Sequence, residues 1–211
     1  MTTTTTAMST GSWVPHGIIE YEGAEPFYRS AKTSVDQYGN IKNPLKHHIT
    51  RFFGYLFNKF IFDDIRYDVS FQELPAEGSS KAVDMVISDL VPAPEWKALC
   101  FIETEAAADS DLDRRIRQLE LRAIECCREY FAANPKMTQV DVLTLVGASV
   151  RCWTARNLDG EELRGFWDED VKGTYEAYLD VGLDRNRDVL LDFFNKIKTV
   201  PLLNATSGID H

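Results

Sequence analysis

Two short apolar runs joined by a proline-bearing connector, AVDMVISDLVPAPEWKALCFIETE over residues 82–105, leave a chain few ways to fold. Val83, Met85 and Ile87 alternate with Asp84, Val86 and Ser88, the period of two that a strand imposes. From Ala98 to Ile102 the sequence is apolar almost throughout, as in a strand covered on both faces. It ends in Glu103-Thr104-Glu105, and residues two apart on a strand share a face, so both carboxylates point the same way. If the runs pair as a hairpin across residues 89–97, Asp84 is expected roughly opposite Ile102, one position from Glu103. Three acids then converge at one end of a hydrophobic hairpin.

Such a gathering needs a physical reason. Two carboxylates about 4 Å apart repel by roughly 1 kcal/mol in water and about 4 kcal/mol at an effective dielectric near 20. A raised pKa, a paired Arg or Lys, or a divalent cation each relieves that repulsion. An all-oxygen set suits Mg²⁺ or Mn²⁺, which accept one or two carboxylates together with waters and phosphate oxygens. The plainer alternative is that Glu103 and Glu105 mark the point where a strand emerges into solvent.

At 211 residues the chain is long enough for one domain with a proper core, expected over residues 13–200. No apolar run approaches bilayer-spanning length and no charged-then-apolar leader stands at the N-terminus, so the expected setting is intracellular, cytoplasmic or nuclear, with no membrane partner. Four cysteines without CxxC spacing, and four histidines that complete no zinc pattern, point to buried reduced thiols. The net charge of −10 opposes non-specific attraction to a polyanion, because nucleic-acid affinity rests on Lys and Arg displacing counterions. It argues against a dedicated DNA-binding module but leaves room for an enzyme with a local basic patch.

Residues 1–12, MTTTTTAMSTGS, have nothing to bury and are expected as a disordered tail, and 201–211 as a frayed end. Residues 13–44 read as an ordered, aromatic-rich arm. Over 45–62, Ile49, Phe52, Phe53, Leu56, Phe57 and Phe60 recur at threes and fours, giving an amphipathic helix with Asn43 as its expected N-cap and Pro44 opening it. Lys46, His47, His48 and Arg51 gather at its first turns, either as a solvated face or as phosphate contacts. A strand is expected over 65–74. Ser110 is the expected cap of a second helix, on which Leu112, Ile116, Leu119, Ala123, Cys127 and Tyr130 form the apolar stripe, and Asn134-Pro135 stops it. Arg114, Arg115, Gln118 and Arg122 lie to one side of that stripe and make the most basic local surface in the chain. Strands at 140–146 and 150–154 and a final helix at 187–198 complete the expectation.

The order helix, strand, strand, strand, helix, strand, with Val83-Asp84 in the second strand and Phe101-Ile102-Glu103-Thr104-Glu105 ending the third, resembles the PD-(D/E)xK nuclease superfamily over roughly residues 43–156. The resemblance implies an α/β, restriction-endonuclease-like fold: a central mixed β-sheet flanked by helices, an αβββαβ core, here with an N-terminal arm and a C-terminal helix. It implies that Asp84 and Glu103 hold Mg²⁺ (or Mn²⁺) for phosphodiester hydrolysis in DNA or RNA. The chain departs from the motif in having Val before Asp84, where Pro is usual, and Glu105 where Lys is usual. Some restriction endonucleases of this fold carry Glu at that place and are active. Glu105 is then expected to bind metal or act as base, although it cannot supply a positive charge. Lys81, at the start of the second strand, is the expected substitute cation. Gln118, Arg114, Arg115 and Arg122 are expected to contact phosphate.

Two functions are consistent with these residues. One is a metal-dependent nuclease whose partner is nucleic acid. The other is an inactive nuclease-like fold whose acidic surface engages a basic protein. A homodimer is compatible with either.

Overall fold

The computed structural model describes residues 13–35, 38, 40–90, 97–107, 111–157, 162–167 and 172–199. The expected tail at 1–12, the hairpin connector, the Ser110 cap and the end at 201–211 lie outside them. The arm opens with helix α1 (Glu25–Lys32), carrying Pro26 in its first turn, and a two-stranded ribbon of β1 (Ser34–Val35) and β2 (Ile41–Lys42). Helix α2 (Lys46–Leu56) follows and winds into a π-helical turn at Phe57–Ile61. Then come β3 (Tyr67–Glu73), β4 (Val83–Asp89), β5 (Lys97–Glu105), α3 (Leu112–Ala133), β6 (Gln139–Val146) and β7 (Ser149–Arg156). Short strands β8 (Leu163–Gly165) and β9 (Leu179–Asp180) and helix α4 (Arg187–Thr199) close the chain.

The strands form one mixed sheet in the order β3-β4-β5-β6-β7-β8, with β9 also paired to β7. The β5–β6 pair is parallel and the others are antiparallel. Parallel neighbours need a crossover, and α3 supplies it. The helices divide between the faces. Ile49, Phe52 and Phe53 of α2 and Phe57 of the turn after it pack with Phe193 and Phe194 of α4 on Met85, Ile87, Cys100 and Ile102. On the other face Ala123, Cys127 and Tyr130 of α3 cover Val86, Phe101, Val142 and Trp153. Strands β4 and β5 are therefore sandwiched, which is why their apolar content is nearly continuous. The αβββαβ order expected from the sequence is present, as a mostly antiparallel sheet flanked by helices.

Some local expectations need correction. Asn43 does not cap α2; the N-cap is Leu45 in extended conformation, and no side chain caps the helix. Pro44 forces extended backbone on its predecessor and is itself buried, so the helix begins two residues later than the proline suggests. Ile65, counted into the first long strand, is exposed ahead of β3. The arm contains the unanticipated helix α1, whose His16-facing Glu25 and buried Tyr28 tie it to the core. All four cysteines are free and buried, as expected, and burial pushes the Cys127 thiol up to about 12. No helix among the described residues is long and apolar enough to cross a membrane.

Candidate active site

The register between β4 and β5 decides which carboxylates meet. Near the connector, Asp89 faces Lys97 and Ser88 faces Ala98; continued unbroken, that register would set Asp84 against Ile102. Between Ile87 and Ser88 the ladder shifts, so Ile87 faces Cys100 and Leu99 is left as the extra residue of a β-bulge. Met85 therefore faces Ile102, and the same register brings Asp84 to Glu103. Opposed residues of an antiparallel pair share a face, so the bulge turns Asp84 from the opposite side of the sheet to that of Glu103. The sequence expectation was off by one residue, and the correction strengthens the pairing.

Asp84 is almost fully enclosed. Its Oδ2 accepts the backbone N–H and the hydroxyl of Thr104, both at 2.8 Å. Its Oδ1 lies 2.8 Å from the Lys46 Nζ and accepts a longer bond of 3.3 Å from the Gln72 amide. Gln72 sits at φ 56°, a left-handed conformation that costs a non-glycine residue about 1 kcal/mol. Glu103 is equally buried, and its Oε2 accepts from the Arg122 Nε at 3.2 Å. Burial and the charge of Asp84 push the Glu103 carboxyl above its ordinary range, against the pull of Arg122 and Lys46. That coupling is the electrostatic signature of two carboxylates forced together.

Glu105 shares the face of Glu103 and is held differently. Its Oε1 accepts from Arg115 and from the Ala106 N–H at 3.1 Å, and its Oε2 from Arg122 at 3.3 Å. Arg122 also reaches the Thr104 carbonyl at 3.4 Å. The expected cluster of three acids is thus a close pair plus a third carboxylate bound by two guanidiniums. Among the described residues no group of three or more His, Cys, Asp or Glu side chains is placed to hold a metal ion. An ion here would take Asp84 and Glu103 and fill its remaining positions with water or phosphate oxygens, an arrangement that suits Mg²⁺ or Mn²⁺.

Beside the pair lies a cavity of about 120 Å³, lined among others by Lys46, Lys81, Asp84, Glu103, Arg122 and Cys126. Lys81 lines it but pairs with Glu125 at 3.3 Å. The cation on Asp84 is Lys46, from the first turn of α2. Its basic cluster with His47 and His48 was visible in the sequence, but no local pattern reports contact with a strand nearly forty residues away. Gln72 gave no signal at all. Arg115 and Arg122, seven residues apart on α3, reach the carboxylates, while Arg114 and Gln118 are exposed and bond none of the three.

No protein-family model matches the chain, and neither does any curated protein. Among solved structures it is similar to the type IIG restriction endonuclease BpuSI, at 13% identity and a TM-score of 0.45. The likeness covers 82% of this chain but only 17% of that one, and a score of that size carries no argument about chemistry.

Proposed function

We propose that the protein is a divalent-metal-dependent phosphodiesterase acting on nucleic acid. The observation that carries this reading is the bulge-set opposition of Asp84 and Glu103, buried side by side against a cavity fringed with Lys46, Lys81 and Arg122. Asp84 and Glu103 would hold the ion. Mg²⁺ or Mn²⁺ would supply Lewis acidity at a phosphoryl oxygen. Thr104 fixes the Asp84 carboxylate through two bonds, and Glu105 orients Arg115 and Arg122 toward the same corner. Arg122 then neutralises a non-bridging phosphate oxygen, with Lys81, Arg114 and Gln118 meeting neighbouring phosphates along α3 and the cavity rim. The positive charge that a motif lysine would bring comes here from arginines anchored by the glutamate in its place.

The test is cleavage of single- and double-stranded DNA and RNA by the full chain with Mn²⁺ or Mg²⁺. Cleavage that falls by about 100-fold or more in Asp84→Asn and in Glu103→Gln supports the reading, since the polarisation lost is worth several kcal/mol. Absence of both cleavage and Mn²⁺ binding in the wild-type protein overturns it.

A second reading has its own observation. Asp84, Glu103 and Glu105 each touch Lys46, Arg115 or Arg122, so the corner is charge-matched without any ion, and the chain carries −10 overall. A non-catalytic fold that engages a basic protein fits those facts. Wild-type protein that binds no Mn²⁺ and leaves nucleic acid intact would favour it.

A further inference from the structure

We infer that Lys46 is an internal cation that holds Asp84 while the site is metal-free and yields that carboxylate to a divalent ion. The inference rests on the metal-site reading above and adds a gate to it. The two oxygens of Asp84 are held unequally. Oδ2 is fixed from within the sheet by the amide and hydroxyl of Thr104, whereas Oδ1 takes the Lys46 ammonium and the longer Gln72 bond. The exchangeable oxygen is therefore Oδ1. Glu103 is asymmetric in the same way, with Oε2 on Arg122 and Oε1 without a bonded partner among the described residues.

Lys46 itself is built to leave. It is the first residue of α2, after an N-cap without a side-chain bond, and its side chain is 49% exposed. A lysine at a surface ordinarily turns its ammonium to water. This one sends it inward to a carboxylate that is 7% exposed, because two adjoining buried acids attract any cation within reach. A divalent ion held by Asp84 and Glu103 would compete for the same oxygen with twice the charge. The displaced ammonium stays at the rim of the cavity, where the phosphate of a bound substrate is its next partner. Lys81 lines the same cavity with comparable freedom but is held by Glu125, so it serves as the internal control.

The experiment is calorimetric titration of the full chain with Mn²⁺, alongside cleavage assays, for wild type, Lys46→Met, Lys46→Gln, Lys46→Arg and Lys81→Met. Removing the competing charge should tighten Mn²⁺ binding about tenfold in Lys46→Met, a change on the order of one ion pair. Cleavage should fall in the same protein, because the ammonium is no longer there to meet phosphate. Lys46→Gln should tighten binding likewise if the methionine variant folds poorly; in Mn²⁺ affinity, though not in cleavage, Lys46→Arg and Lys81→Met should stay within about twofold of wild type. Opposite movement of affinity and turnover is a result that a merely structural lysine does not give. Unchanged affinity in Lys46→Met and Lys46→Gln, or equal tightening in Lys81→Met, overturns the gate and leaves the metal site standing. Loss of Mn²⁺ binding in every protein including wild type overturns the site reading, and the gate with it.

Discussion

Among the aspartates that meet a lysine at 2.8 Å, Asp141 and Asp84 stand in unlike surroundings. Asp141 on β6 binds Lys196 of α4, and the Thr154 hydroxyl donates to the same carboxylate oxygen at 2.7 Å. Lys196 also bonds Thr154 and lies over the rings of Phe166 and Phe193, and only about 10 Å³ of space opens beside Asp141. Asp84 binds Lys46 at the same distance, but with a second buried acid beside it and about 120 Å³ open in front. The ion pair alone therefore says little about role. A buried carboxylate whose lysine is held by a hydroxyl and two aromatic rings is a clamp between a helix and a sheet. The one beside a cavity lies next to a second buried acid, and its lysine is half-exposed and can turn away.

That contrast is breakable. The largest expected effect is on turnover: Asp84→Asn should abolish metal-dependent cleavage, while Asp141→Asn should leave it within a few-fold of wild type, measured on one labelled oligonucleotide. Loss of activity in both would mean that the two pairs do not differ in kind. The next effect is on stability, in the reverse order. Asp141→Ala leaves the Lys196 ammonium without its carboxylate, and urea denaturation should show a loss of about 2–3 kcal/mol. A half-exposed Lys46 can turn to water instead, so Asp84→Asn should cost about 1 kcal/mol. Glu105→Gln should lower stability by about 1 kcal/mol and weaken oligonucleotide binding, because it frees Arg115 and Arg122 from their anchor.

The smallest expected effect comes from a carboxylate whose cation can be switched off. Burial tends to lower the His16 pKa, but Glu25 at 2.7 Å and the Gly182 carbonyl at 3.0 Å outweigh it and raise the value above the ordinary 6.5. A histidine with a raised folded pKa contributes stability that is fully present below pH 6.5 and lost as pH rises through the folded value. Thermal melts from pH 5 to 9 should show that decline, and His16→Phe should flatten it. A steady melting temperature across the range in the wild-type protein would deny the pair any part in holding the arm.

What could be read from the sequence was what depends on neighbours along the chain. The alternation around Met85, the continuous apolar run to Ile102, the stripe from Ile116 to Tyr130 and that of Phe193 and Phe194 each report which face is covered, and each became the expected element. Contacts across the sheet were not legible. Nothing in Leu99 marks it as a bulge residue, since both Leu99 and Cys100 are apolar and suit either face. Lys46 looks like any lysine on an amphipathic helix until α2 is laid against the end of β4. Arg115 and Arg122 are expected on phosphate, yet Arg115 bonds Glu105 and Arg122 bonds both Glu103 and Glu105, because an arginine takes a carboxylate within reach in the absence of a ligand. The proline before α2 misled for a simpler reason: a proline fits the residue preceding an N-cap as well as the first helical turn.

A single unit of slack in β5 governs whether Asp84 and Glu103 are companions or strangers. Pair Leu99 in a regular ladder, with no bulge, and Asp84 falls opposite Ile102 on the α2 side of the sheet while Glu103 keeps company with α3. No residue would have changed, only the register in which β5 is paired. The meeting of two acids at this corner thus hangs on one kink in a stretch that looks like ordinary filling.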